Sequence, residues 1–207
     1  MVATQGSGKH MQDMVQKQLA QSIETMQATL ADPNIANTVV TIAELTANAM
    51  LAGGKLMVAG NGGSAADAQH LVAEFVVRLV SNRPAMRAVA LTTDTSIITA
   101  AGNDFSFDCI FGRQIEALGQ PGDVFLGIST SGNSRNILQA VQQAKEMNIT
   151  TIGFTGNDGG QMASLCDHNV IIPSNVTMNI QECHLALEHI FCLAVEGFYF
   201  GDRQSST

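Results

Sequence analysis

The sequence predicts an α/β fold, a three-layer sandwich around a five-stranded parallel sheet of order 2-1-3-4-5 with an N-terminal helical arm. Five short apolar runs bounded by turn residues alternate with longer stretches of helical periodicity, the pattern of strands joined by crossover helices. The first run, Leu56-Met57-Val58-Ala59, passes directly into the glycine turn Gly60-Asn61-Gly62-Gly63 and then a helix, which is how a parallel strand delivers its C-terminal end to a helix N-terminus. The third run, Val124-Phe125-Leu126-Gly127-Ile128, does the same through Ser129-Thr130-Ser131-Gly132-Asn133-Ser134.

Taken in order, residues 1–11 read as a leader outside the fold. From Gln12 to Ala31 apolar residues recur at Met14, Leu19, Ile23, Met26 and Leu30, an amphipathic helix that Asp32-Pro33 ends. A second helix, Ile35 to Leu51, is rich in Ala, Val and Leu on more than one face and is closed by Gly53-Gly54. Residues 12–54 thus form a helical segment that must bury apolar surface, most simply against another copy of the chain. Residues 55–200 form the sheet domain, the two together making a single domain overall. Strands are expected near Lys55 to Ala59, Ala88 to Leu91, Val124 to Ile128, Thr151 to Phe154 and Val170 to Ile172. Helices are expected near Ala65 to Val80, Thr95 to Ala101, Phe107 to Leu118, Ser134 to Met147, Gly160 to Cys166 and Asn179 to Phe198, with a disordered tail from Gly201 to Thr207.

Composition narrows the partners. Of 207 residues only 14% are charged and 45% are hydrophobic, so part of the surface is expected to be shared with other subunits. Ten Lys plus Arg against a net charge of −8 leave no basic stripe for nucleic acid. Cys109, Cys166, Cys183 and Cys192 have no CxxC spacing and lie in apolar or helical patterns, which reads as reduced thiols of a cytoplasmic protein. No apolar run approaches the roughly 18 residues that span a bilayer, so no membrane partner is expected.

The two strand-to-helix turns carry the chemistry. Gly60, Gly62 and Gly63 allow a ligand close to the backbone, and the N–H groups opening the next helix favour phosphate or carboxylate. Four residues apart on that helix, His70 and Glu74 share a face suited to a general base or a metal site. In the second turn, four hydroxyls within six residues exceed what an N-cap requires and are expected to converge on a phosphate. In a sheet of order 2-1-3-4-5 both turns end on the strands where the order reverses, the usual place for a ligand. A dinucleotide site competes, since Gly60-x-Gly62-x-x-Ala65 satisfies the loose G-x-G-x-x-G/A pattern. The ribose-binding acid expected roughly 20 residues on has only Asp94, well later, as its nearest counterpart.

On the last helix Gln181, His184 or Leu185, Glu188 and His189 fall on one broad face, so two of five histidines can point at one place. His168 has no such company, and His10 belongs to the leader.

Together with Ala101-Gly102-Asn103-Asp104 and Thr155-Gly156-Asn157-Asp158-Gly159-Gly160, these motifs resemble, in the same order, those of the phosphoheptose isomerases. These are sugar-isomerase-type (SIS) enzymes that interconvert sedoheptulose 7-phosphate and D-glycero-D-manno-heptose 7-phosphate, the first step of heptose biosynthesis for the lipopolysaccharide core. The likeness runs from the first helix to about Glu196. It implies the SIS, flavodoxin-like fold, with Glu74 and His189 as the acid/base pair and His70, Glu74, Gln181 and His189 as ligands of one Zn²⁺ per subunit. It further implies Ser129, Thr130, Ser131 and Ser134 as the phosphate cradle, and Asn61, Gly62, Gly63, Ser64, Arg78, Asp104 and Gln181 as contacts to sugar or phosphate. The implied assembly is a homotetramer with active sites at subunit interfaces. Ala65-Ala66 departs from members that carry a larger polar residue after the serine.

SIS relatives also include a non-catalytic adaptor of the bacterial replication initiator with similar glycine and serine loops. That adaptor lacks an acid and a histidine at the positions matching Glu74 and His189, so their presence here favours an enzyme. An isomerase for another phosphosugar is the remaining alternative. Ketose–aldose isomerisation itself needs a base over one face of an enediol, an acid near the oxygens and a stabiliser of developing charge, roles that Glu74, His189 and a metal would fill.

Overall fold

The computed structural model describes residues 5–201, with side chains from Gly8 onward. Met1–Thr4 of the expected leader and residues 202–207 of the expected tail lie outside the described residues.

The first helix, α1, spans Gln5–Ala31, so residues 5–11 continue the helix expected from Gln12. Propagating an existing helix adds one hydrogen bond for each residue fixed, which carries it through Gly6 and Gly8 despite their poor helix propensity. Asp32-Pro33 starts as well as stops a helix. The Asp32 carboxylate accepts from the Asn34 N–H, and Pro33 sits at the first position of α2, Pro33–Leu51.

The sheet contains β1 (Leu56–Gly60), β2 (Ala88–Ala90), β3 (Val124–Ile128), β4 (Thr150–Gly156) and β5 (His168–Ile172). Its order is β2-β1-β3-β4-β5, all neighbours parallel, as the sequence predicts. The connecting helices are α3 (Gly63–Val76), α4 (Thr95–Asp104), α5 (Gly112–Leu118), α6 (Arg135–Glu146) and α7 (Met162–Leu165), followed by α8 (Thr177–Phe200). The helix expected over Phe107 to Leu118 is divided. Phe107–Cys109 is a 3₁₀ turn closed by the Cys109 N–H on the Ser106 carbonyl, and α5 begins afresh beyond it.

Alternation along the strands makes the three layers. Leu56, Val58, Leu126 and Ile152 pack under α2, α3 and α8, while Met57, Ala59 and Phe125 pack under α4, α5, α6 and α7. Cys166, Cys183 and Cys192 are buried, Cys109 is half-buried, and all four are unpaired. By length and composition α8 is apolar enough to cross a bilayer, yet it packs on α2 and α3 and holds His184, Glu188 and Glu196 buried within the fold.

Candidate functional site

Gly60 at the end of β1 pairs with Ile128 at the end of β3, so the glycine turn and the serine turn leave the sheet side by side. The sheet order reverses at this point, and what the two turns hold in common is decided by their side chains.

Gly62 is the N-cap of α3, exposed, with φ +56 and no side-chain cap, so its lack of a Cβ is what permits the turn. The Ala65 and Ala66 N–H groups return to the Gly62 carbonyl. Next to it Gly63 lies under Gln181, close enough that an added Cβ would stand 2.5 Å from the Gln181 Nε2. Asn61, half-buried, pairs reciprocally with the buried Asn136 on α6: Asn61 Nδ2 donates to Asn136 Oδ1 at 2.9 Å, and Asn136 Nδ2 donates to Asn61 Oδ1 at 2.7 Å. Asn136 was not among the residues expected here. Its signal was its register with the buried Ala140 and Ala144 at helical spacing, which places an amide on an apolar face.

In the serine turn, Ser134 occupies the N-cap position of α6 but makes no side-chain cap. Its hydroxyl meets the Ser129 hydroxyl at 3.0 Å instead. This leaves the first N–H groups of α6 uncapped and disfavours capping as the reason for the hydroxyls. The Ser131 Oγ accepts from the Asn133 N–H, and the Thr130 carbonyl from the Gly156 N–H. Gly132, at φ +62, presses its backbone onto Gly159, so a side chain there would collide with the Gly159 carbonyl. Thr130, Ser131 and Asn133 line a polar recess of about 310 Å³ together with Asn157, Asp158 and Asn175.

The helices α3 and α8 bring His70, Glu74 and His189 together, each offering a ligand atom within 4.8 Å of the others. His70 Nε2 lies 2.8 Å from His189 Nε2 and 3.7 Å from Glu74 Oε1. The two rings meet edge-on with centroids 5.0 Å apart. Two imidazole nitrogens and a carboxylate oxygen form a donor set that fits a borderline cation such as Zn²⁺.

Beside this cluster the α3–α8 contact is polar in an unexpected way. Glu188 is fully buried, and neither of its oxygens has a hydrogen-bond partner among the described residues. Burial first and the Asp67 carboxylate second push its carboxyl up to about 8. Asp67 is itself raised by burial, with His70 partly offsetting the rise. His184, fully buried, donates from Nε2 to the Thr155 carbonyl at 3.0 Å, and burial drives it down to about 4. The expected single face of α8 is therefore divided: His189 joins His70 and Glu74, Gln181 lies against Gly63, and His184 and Glu188 belong to the interior.

Two expected contacts stand apart within one chain. Arg78 is exposed past the end of α3 and makes no ion pair among the described residues. Asp104 ends α4 and lines a separate apolar recess with Ile97, Phe105 and Arg113. Ser64 is buried at the first turn of α3.

Residues 14–156 match the SIS domain family. A phosphoheptose isomerase of Burkholderia pseudomallei is 51% identical over 185 residues, covering 89% of this chain and 94% of its own length. One of Clostridium acetobutylicum is 46% identical, covering 93% of this chain and 98% of its own. Among solved structures, a phosphoheptose isomerase from Neisseria gonorrhoeae superposes with a TM-score of 0.85 at 42% identity, over 90% of this chain and 99% of its own.

Proposed function

The chain belongs to the SIS-domain family and within it to the phosphoheptose isomerases, and on that premise we propose that it converts D-sedoheptulose 7-phosphate to D-glycero-D-manno-heptose 7-phosphate. The observation that carries this reading is the meeting of His70, Glu74 and His189 on two helices, one of which opens at the same sheet edge as the uncapped serine turn. One part can hold a phosphate and the other can move protons.

In the ketose the carbonyl is at C2, and C1 carries two hydrogens and a hydroxyl. Glu74 removes a C1 proton, leaving an enediol with a double bond between C1 and C2, and returns that proton to C2. His189 delivers a proton to O2 and recovers one from O1, so the protein ends as it began. His70, Glu74, Gln181 and His189 are the residues that would hold one Zn²⁺ per subunit, whose chemistry when bound is to polarise the substrate's carbonyl and hydroxyl oxygens. Ser129, Thr130, Ser131 and Ser134 hold the phosphate, and that remote binding orients the reacting carbons.

The exposed row Met14, Leu19, Ile23 and Leu30 on α1 is suited to covering by further copies of the chain, in keeping with a tetramer. Arg78 and Asp104 then contact the sugar phosphate in a site completed between subunits. The reading places the enzyme in the cytoplasm, at the first step toward the heptose of the lipopolysaccharide core.

The test is turnover on a panel of ketose phosphates of five to seven carbons. Sedoheptulose 7-phosphate is expected to give the highest kcat/KM; a better five- or six-carbon substrate would assign the site to another phosphosugar, and no turnover would favour a non-catalytic binding role.

A further inference from the structure

Helix α3 ends without the usual devices. No basic residue lies in its last turn, and its C-cap is Val77, at φ −96 and ψ −80, rather than a glycine. The Val77 N–H satisfies the Ala73 carbonyl; beyond it the Phe75 carbonyl accepts from the Met86 N–H at 3.1 Å, and the carbonyls of Glu74 and Phe75 lie at the open end of the helix. One guanidinium takes both: Arg83 Nη2 donates to the Glu74 carbonyl and Nη1 to the Phe75 carbonyl, each at 2.6 Å. Nη1 also reaches the Pro84 carbonyl at 3.1 Å. Arg83 Nε donates to Glu196 Oε1 at 2.6 Å, and the two side chains are only 2% and 4% exposed. The Phe200 ring lies 6.0 Å from the guanidinium carbon.

Glu196 follows His189 by seven residues on α8, two helical turns along nearly the same face. The cation that grips the main chain of Glu74 is therefore bonded to the helix that carries His189. Charge pairing alone would not need a planar fork directed at the carbonyl of residue 74.

We propose that Arg83 is a positioning residue: held by Glu196, it fixes the end of α3 against α8 and so sets where the Glu74 carboxylate stands relative to His70 and His189. The proposal rests on the reading of Glu74 and His189 as the reacting pair. Lysine cannot replace the fork, because a single ammonium does not span the four acceptors that the planar guanidinium reaches.

Arg83→Lys and Glu196→Gln are each to be measured for melting temperature, for kcat and KM separately at a temperature where the protein is fully folded, and for the Zn²⁺ dissociation constant by titration calorimetry. Arg83→Lys is expected to lower kcat about tenfold or more with KM within about twofold, and to weaken Zn²⁺ binding about tenfold. Glu196→Gln keeps an oxygen for Arg83 Nε and is expected to stay within about threefold of the parent in kcat. A purely structural role predicts a lower melting temperature with kcat and Zn²⁺ affinity unchanged, and that result overturns the proposal. Should Arg83→Lys not fold, Glu196→Asp decides: it keeps both charges but draws the guanidinium away from Glu74, and an unchanged kcat and Zn²⁺ affinity overturn the proposal equally. If the parent protein shows no isomerase activity, the functional reading fails, while the Zn²⁺ titrations still report on the clamp.

Discussion

Asn61 and Asn136 exchange two hydrogen bonds across the boundary between β1 and β3, tying the glycine turn to the helix that the serine turn begins. The two halves of the site are thereby held at a fixed separation by amides that are acceptor and donor in equal measure. In Asn136→Ala, Asn61 loses its partner, which costs about 1–3 kcal/mol, and KM for the phosphosugar is expected to rise about tenfold as the turns drift. Asn136→Asp turns one donor into a second acceptor and adds negative charge beside the cradle, so its KM is expected to exceed that of the alanine variant. Steady-state kinetics on the pair decide this; an aspartate variant that binds as well as the alanine one removes the electrostatic part.

Glu74→Gln keeps the shape of the side chain but cannot accept a proton. It is expected to fold and assemble normally while kcat falls 10²-fold or more, the usual cost of losing a general base. Activity within about tenfold of the parent would remove Glu74 from that role.

The triple variant Ser129→Ala, Ser131→Ala, Ser134→Ala tests the cradle. Because the Ser134 hydroxyl does not cap α6, its loss is not expected to unravel the helix, whereas KM rises strongly and protection by inorganic phosphate weakens. Unchanged phosphate protection in a less stable protein would make the turn structural.

For the metal, His70, Glu74, Gln181 and His189 offer no thiolate, so occupancy is expected to be incomplete and to fall as protons compete with the metal for its ligands at lower pH. A chelator should abolish turnover without unfolding the protein, and Zn²⁺ should restore it. Elemental analysis run beside the assay provides the check: full turnover in metal-free protein would leave proton transfer to Glu74 and His189 unaided.

Buried Glu188 and His184 set opposite pH slopes on stability. Burial pushes the Glu188 carboxyl up to about 8 in the fold from an ordinary 4.5, so the folded state holds the extra proton between those values and stability falls as pH rises through them. His184 titrates at about 4 against 6.5, so the unfolded state holds the extra proton there and stability falls as pH drops from 6.5 toward 4. The two oppose each other between about 4.5 and 6.5, and above 6.5 the Glu188 slope stands alone at roughly 1.4 kcal/mol per pH unit. Glu188→Gln should flatten that limb. Urea unfolding at pH 6.5 and 8.5 measures it, and an equal loss in parent and variant would show that Glu188 is not the source.

What was legible in the sequence is what repeats locally. His70 and Glu74 share a face because they are four apart on a helix, and Gln181 and His189 could be grouped for a similar reason. Helical periodicity gave the existence of α3 but not its end: the pattern ran on to Val80, whereas α3 stops at Val76 and the Arg83 guanidinium holds the carbonyls of Glu74 and Phe75. Arg83 itself lies in an irregular segment with no period to reveal it. The serine turn left two readings open because an N-cap and a phosphate contact use the same hydroxyl, and the Ser129–Ser134 bond speaks only against the cap. Burial of Glu188 was invisible for a related reason, since it sits beside His189 on a helix whose polar residues looked like one face.

His70 and His189 are 119 residues apart, and their meeting has a bearing on how the molecule comes into being. β3 and the serine turn lie within the first two-thirds of the chain, but the meeting of His70, Glu74 and His189 waits for α8, the last element. Closing so long a loop costs entropy that burial of the apolar residues of α8, Phe191, Cys192 and Val195 among them, offsets. A chain still emerging from the ribosome thus has its glycine and serine turns before His70 and Glu74 can meet His189, and that cluster forms only when the C-terminal helix docks.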